Sequence, residues 1–265
     1  MGGAVSASTI STMSSDTRSA RIADGPDDTP EEIQRAAGKK RLAGSPAFDP
    51  VAQPWVANPG GLAPVPPERL TPPALRTRFV DPPAWQPDAS DINPAREIDR
   101  SLRLASVLVP MVLRPGGIRI MLTQRAAHLH NHAGQVSFPG GRVEPSDASV
   151  AHAALRESEE ETGLPRGMVE VIGQLPDYFT GTGFRVVPLV GLVQPDFLPR
   201  PDPAEVAEVF EVPLPFLMDP ANHHLHSASL PSGGSRSYYS MPWKQFFIWG
   251  ATAGMLRNLY QFLRA

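Results

Sequence analysis

Three glutamates, Glu157, Glu160 and Glu161, stand at i, i+3 and i+4 in the run Arg156-Glu-Ser-Glu-Glu-Glu-Thr-Gly163. On an α-helix that spacing gathers the three carboxylates within roughly 100° of arc, so they share one face. Like charges so placed repel by tenths of a kcal/mol per pair in water, and by more as the face is desolvated. A divalent cation reverses the penalty. Magnesium takes oxygen ligands, keeps several of its waters, and is usually held by one or two carboxylates together with substrate phosphates. Manganese accepts the same donors. A run of glutamates on a helix is most often a solvated face, but the surroundings point elsewhere. Gly140-Gly141 lies upstream, where the backbone can approach a ligand or metal with no side chain between them. Arg156 can pair with Glu160 at i, i+4. Ala151, Leu155 and Ser158 form a small opposite stripe suited to close packing.

Residues 148–162 are read as the helix that carries these groups. Ser146 and Asp147 offer N-caps, Gly163 offers a left-handed stop, and Ala151, Leu155, Ser158 and Thr162 fall on one stripe. A second helix is predicted over 251–263, with Thr252 near its start and Met255, Leu256, Leu259, Phe262 and Leu263 as its buried face. Residues 104–112, the turn Pro115-Gly116-Gly117 and residues 118–123 predict a β-hairpin. Apolar runs at 169–175, 186–193 and 206–212 predict further strands. Strands interspersed with two helices make a layered α/β or α+β domain with the sheet between helices.

The chain of 265 residues carries 24 Lys and Arg against 27 Asp and Glu, a net charge of −3. No global positive field holds a nucleic acid, and any phosphate site must be local. Cysteine is absent, which excludes disulfides, thiolate nucleophiles and Cys-ligated metal centres and fits a reducing, cytoplasmic setting. The longest apolar run, 104–113, is far short of the roughly 20 residues that span a bilayer and contains Pro110, so no membrane helix is predicted. The first 25 residues lack the apolar stretch of a secretory signal, and MGGAVS matches the myristoylation pattern only loosely. Residues 1–100 hold 15 of the 31 prolines and only four aromatics, Phe48, Trp55, Phe79 and Trp85. Such a segment has little apolar area to offset the entropy of ordering it. Residues 1–70 are therefore read as a flexible Ala/Pro-rich arm with at best a short helix at 31–43, 71–97 as a lead-in, and 98–265 as the folded domain. The expected assembly is a monomer or homodimer.

No P-loop, HExxH, GxSxG or dinucleotide fingerprint is present. His128, His130 and His132 are read as surface or phosphate-contacting imidazoles rather than a metal site. Tyr238, Tyr239, Phe246, Phe247 and Trp249 are read as core. Among Glu205, Glu208 and Glu211, near a predicted strand, one is a candidate distal metal ligand, with a solvated edge as the competing reading.

The run Arg156-Glu157-Ser158-Glu159-Glu160-Glu161-Thr162-Gly163-Leu164 resembles the second half of the box of the Nudix hydrolases: Gly, five residues, Glu, seven residues, Arg-Glu-apolar-x-Glu-Glu-x-Gly-apolar. Ser158 stands where a larger apolar residue is usual. The spacing from Gly141 to Arg156 is one residue longer than in the general box, so Asp147 takes the approximate place of the first Glu. Upstream, Met121-Leu-Thr-Gln-Arg125-Ala126, Gly134 and Phe138-Pro-Gly-Gly141 are similar, in order and spacing, to the signature of the coenzyme A pyrophosphatases, a Nudix subfamily, with His130 where a second Arg belongs. The resemblance covers about residues 100–264.

The resemblance implies a Nudix-type α/β/α sandwich with a mixed central sheet. It also implies metal-dependent hydrolysis of the phosphoanhydride of coenzyme A or a derivative, giving a phosphopantetheine moiety and adenosine 3′,5′-bisphosphate. Mg2+ or Mn2+ held by Glu157, Glu160 and Glu161, with the Gly141 carbonyl, would neutralise the diphosphate, and Glu161 or Glu160 would serve as base with Arg156 beside them. Arg125, Arg185 and His130 are the expected phosphate contacts. The same box serves other nucleoside diphosphate derivatives, ADP-ribose and nucleotide sugars among them, and a Nudix-like fold without catalysis can act as a ligand-sensing module.

Overall fold

A computed structural model describes residues 48–88, 102–129, 134–229 and 235–265. In chain order its strands are β1 (Trp55–Ala57), β2 (Arg103–Arg114), β3 (Gly117–Arg125), β4 (Val136–Ser137), β5 (Gly140–Arg142), β6 (Val169–Gln174), β7 (Tyr178–Phe179), β8 (Phe184–Val193), β9 (Val206–Pro213), β10 (His224–Ser229), β11 (Ser235–Trp243) and β12 (Phe246–Trp249). The helices are α1 (Pro72–Val80), α2 (Val150–Thr162), the single turn α3 (Leu214–Leu217) and α4 (Ala251–Arg264).

The expected hairpin is β2 and β3, closed by an Arg114↔Gly117 rung over Pro115 and Gly116, with Gly117 at φ 112°. β2 lies at the centre of a mixed sheet. β8 runs parallel to it from Arg103↔Phe184 to Val112↔Val193, while β3 and the short β5 pair antiparallel along its other edge. β9 pairs with β3, β6 and β7 pair with β8, and β4 extends from β3. Pro110 fits inside this central strand because of where it falls. The Leu108 N–H donates to Pro139 O on the β5 side. Two residues later the proline nitrogen faces the same side, where β2 has left β5 at Val107 and meets β3 only from Met111.

Alternation along the strands splits the core in two. Leu108, Val112, Met121, Leu189, Val193 and Val209 face Ala154 of α2 together with Leu164 and Phe197. Val109, Met111, Ile120, Leu122, Val190 and Phe210 face the opposite way, toward Met255, Leu256, Leu259 and Phe262 of α4. Helices thus cover both faces of a mixed sheet, the α/β/α sandwich that the sequence predicts.

The expected boundary between arm and lead-in falls differently. Residues 48–88 pack on the domain, while 1–47 and 89–101 lie outside the described residues, as does the short helix expected at 31–43. Val65, Leu70 and Leu75 join the α4 core, β1 pairs with β10, and the Tyr260 hydroxyl donates to Ala63 O at 2.7 Å. Arg257 of α4 reaches Asp88 at 2.9 Å, and Arg69 donates to the Leu263 and Arg264 carbonyls at 3.2 and 2.7 Å. This cover buries Arg257, Asn258 and Tyr260 as well as the apolar stripe, so α4 is enclosed more fully than its one-sided pattern suggests. A second, antiparallel sheet of order β1-β10-β11-β12 went unpredicted. Its inward positions include polar groups: His226 stacks on Tyr238 with ring centroids 4.7 Å apart and bonds Ser240 Oγ at 2.8 Å, which disguises the strand alternation.

Leu75, fully buried on α1, measures how firmly this cover is integrated. Leu75→Ala is expected to lower global stability by about 3 kcal/mol in denaturant unfolding. An unchanged midpoint would mean that residues 48–88 unfold separately.

Candidate active site

Helix α2 starts later than expected, capped by Ser149, whose Oγ accepts from the His152 N–H at 3.1 Å. It ends as expected at Gly163, in the left-handed conformation with φ 69° and ψ 19°. Its buried residues are Ala153, Ala154, Ser158, Glu161 and Thr162, with Ala151 and Leu155 only partly covered. Ser158, small where the resemblance leads one to expect a larger apolar group, lies fully buried and donates to Ala154 O at 2.6 Å.

This packing separates the three glutamates. Glu161 is 3% exposed, whereas the Glu160 side chain is 57% exposed and Glu157 lies between them. One edge of their shared arc turns against the sheet and the other turns to water. Glu161 accepts the Gly140 N–H at 3.1 Å and stands 3.7 Å from Arg125 Nη1. Burial pushes its carboxyl up to about 7 despite those two contacts, and the nearby Glu157 and Glu205 carboxylates push the same way. Burial likewise raises Glu157, with Glu160 and Glu205 adding to the effect against Arg156.

The paired glycines make this proximity possible. Gly140 has φ 150°, and a Cβ on it would lie 2.5 Å from Ser106 O. A Cβ on Gly141 would come within 2.5 to 2.7 Å of the Glu157 carboxyl atoms. Any side chain at Gly141 would fill the space that the glutamate now uses.

Asp147, expected as an N-cap and in place of the first box acid, does neither job at the carboxylate cluster. Its fully covered side chain takes a two-pronged bond from Arg156, with Nε to Oδ1 and Nη2 to Oδ2 both at 3.0 Å. Those bonds hold its carboxyl well below the usual range. Arg156 keeps Nη1 for Glu157 Oε1 at 3.1 Å and Glu160 Oε2 at 3.0 Å, so the expected i, i+4 pair exists but is shared.

The sequence singled out Glu205, Glu208 and Glu211 without choosing among them. Glu205, just before β9, is the one whose charge acts on Glu157 and Glu161. Its loop is fastened to the end of α2: Arg200 N–H donates to Thr162 O at 2.8 Å and Asp202 N–H to Glu161 O at 3.1 Å, while Glu205 O accepts from Ala126 N–H at 2.8 Å. Glu208 sits on β9 opposite Gln124. Glu211 is buried at the far end with Arg114 at 2.6 Å.

Of the expected phosphate contacts, Arg125 stands beside Glu161. Arg185 lies on the α2 face by register, since Leu104 is its partner and Ser106, two residues on, faces Gly141, but its guanidinium is paired with Asp177. His130 and His132 lie outside the described residues, and His128 Nε2 is 3.0 Å from Ala204 O.

A hard divalent cation suits this donor set. Glu157, Glu161 and Glu205 are mutually repelling oxygens beside an open glycine backbone. Among the described residues no three acidic or imidazole side chains are placed to hold a metal ion by themselves, so an ion here would need waters or substrate oxygens to complete its shell.

Residues 102–230 match the NUDIX domain family. A protein of Escherichia coli O1:K1 named as the uncharacterized Nudix hydrolase NudL is 46% identical over 157 residues, 59% of this chain and 81% of that protein. The Shigella boydii serotype 18 protein of the same name gives the same figures. Among solved structures, the M. smegmatis Nudix hydrolase RenU aligns with 42% of this chain and 71% of its own, at 23% identity and a TM-score of 0.37. Identity of 46% across 81% of the NudL proteins, added to the matched domain, establishes that the chain belongs to the Nudix hydrolase family.

Proposed function

We propose that the protein hydrolyses the phosphoanhydride of coenzyme A or a close derivative, with Mg2+ or Mn2+ held by Glu157, Glu160, Glu161 and the Gly141 carbonyl, and Glu205 as an added donor. The observation that carries this reading is the buried Glu161 carboxyl, pushed up to about 7 among other acids and beside Gly140-Gly141. When bound, the cation offsets diphosphate charge and makes water a better nucleophile. Glu161 is the better placed of the two candidate bases, because it is buried within the acidic cluster beside Gly140 and Arg125. Glu160 is exposed and committed to Arg156. Arg125, 3.7 Å from Glu161, supplies a planar donor fork at the same spot for a phosphate oxygen. Arg185 would exchange Asp177 for substrate, a bisphosphate end being the stronger competitor for its fork.

The coenzyme A assignment is supported by the Arg125, Gly134 and Phe138-Pro-Gly-Gly141 spacing. His130, where an Arg is usual, supports the rival reading of another nucleoside diphosphate derivative.

With magnesium or manganese, coenzyme A is expected to turn over to two products separated by mass; much faster turnover of ADP-ribose would move the assignment to the rival class. Glu160→Gln and Glu161→Gln should each lower kcat by about 100-fold or more, with the fold retained by circular dichroism. Full activity in either variant would remove that residue from the mechanism.

Stability should report the same burial. The folded Glu161 pKa, about 7, lies above the usual 4.5, so the unfolded chain releases its proton first. Metal-free protein should therefore lose stability as pH rises from about 4.5 to about 7 and level off above that. In melts with chelator, Glu161→Gln should flatten this slope, and added magnesium should reduce it in the parent. An equal slope in the variant would mean that Glu161 is not the group responsible.

A further inference from the structure

Behind the carboxylates a row of polar groups runs from Arg166 through His152 to Asp147 and Arg156. We propose that His152 is a positioning residue: locked as the neutral Nδ1–H imidazole between Arg166 and Asp147, it fixes the carboxylate that aims Arg156 at Glu157 and Glu160. The assignment rests on the reading of those two glutamates as metal carboxylates.

Hydrogen-bond chemistry leaves one tautomer. His152 Nε2 lies 2.9 Å from Arg166 Nη1, and a guanidinium has no lone pair to offer, so Nε2 accepts. The ring proton is then on Nδ1, which lies 2.9 Å from Asp147 Oδ1 and donates to it. Arg166 is held in turn by Glu159 at 2.8 Å. The charged groups facing the ring are thus Asp147 from the loop before α2 and Arg166 from the turn after it, with Arg156 beyond Asp147 and Glu159 beyond Arg166.

Asp147 is saturated by this arrangement. Oδ1 accepts from Arg156 Nε and His152 Nδ1, and Oδ2 accepts from Arg156 Nη2 and the Glu144 N–H at 2.9 Å. It has nothing left to give a cation, and its effect on the site passes through Arg156. The two-pronged bond uses Nε and Nη2, so the direction of Nη1 toward Glu157 and Glu160 follows from the plane of the Asp147 carboxylate. His152 adds its bond to Oδ1 opposite the Glu144 N–H on Oδ2, so the two brace the carboxylate at both oxygens.

Two measurements test this. Nitrogen-15 NMR of the histidine rings in metal-free protein should show His152 as the Nδ1–H tautomer. Manganese binding followed by electron paramagnetic resonance should weaken about tenfold in His152→Ala, with most of it restored in His152→Gln, which keeps one donor and one acceptor. An Nε2–H or doubly protonated ring overturns the lock. Parental manganese affinity in His152→Ala, or equal impairment in the Gln and Ala variants, overturns the positioning role. A parent protein that binds no manganese sinks instead the reading of the glutamates, a failure that leaves the tautomer free to decide the lock.

Discussion

Burying a carboxylate with one amide and a distant guanidinium for company is the constraint that organises this molecule. Glu161 has Gly140 N–H at 3.1 Å and Arg125 Nη1 at 3.7 Å, too little to offset the solvation it has lost. The fold tolerates the deficit because the charge is held on a rigid helix whose small residues press it against the sheet. The same features that make the site costly to the empty protein make it receptive to a cation. If Glu161 acts as proposed, stability and catalysis draw on one group in opposite senses, and a variant more stable without metal is expected to be a poorer enzyme.

Much of this was legible in the sequence because it depends on local spacing. The i, i+3, i+4 glutamates, the glycine stop at Gly163, the Pro115-Gly116 turn and the apolar runs of β2, β3, β8 and β9 are short-range signals, and each sits where it was expected. What spacing could not show was which edge of the acidic arc faces the sheet. That is decided by Ala154 packing into one buried cluster with Leu108 and Met121, from segments more than thirty residues away. The role of Asp147 was hidden for a related reason: Ser149 serves as the cap, and Asp147 instead meets the arginine side-on, nine residues away along the chain.

Residues 48–88 misled on composition. Proline-rich chain with few aromatics usually lacks the area to order itself, yet this stretch borrows the unfilled side of α4 rather than building a core. Leu75 supplies the apolar contact, and Arg69, Ala63 and Asp88 satisfy polar groups that the helix would otherwise leave buried and unmatched. The second sheet escaped notice because histidines occupy inward positions where a strand pattern calls for aliphatic groups.

The connection between β8 and β9 joins Glu205 to the last turn of α2 through Arg200 and Asp202. Those two amides occupy carbonyls that a helix end normally leaves to water. Length changes there would unseat an acid and uncap a helix together, which makes this crossing a poor place for natural variation.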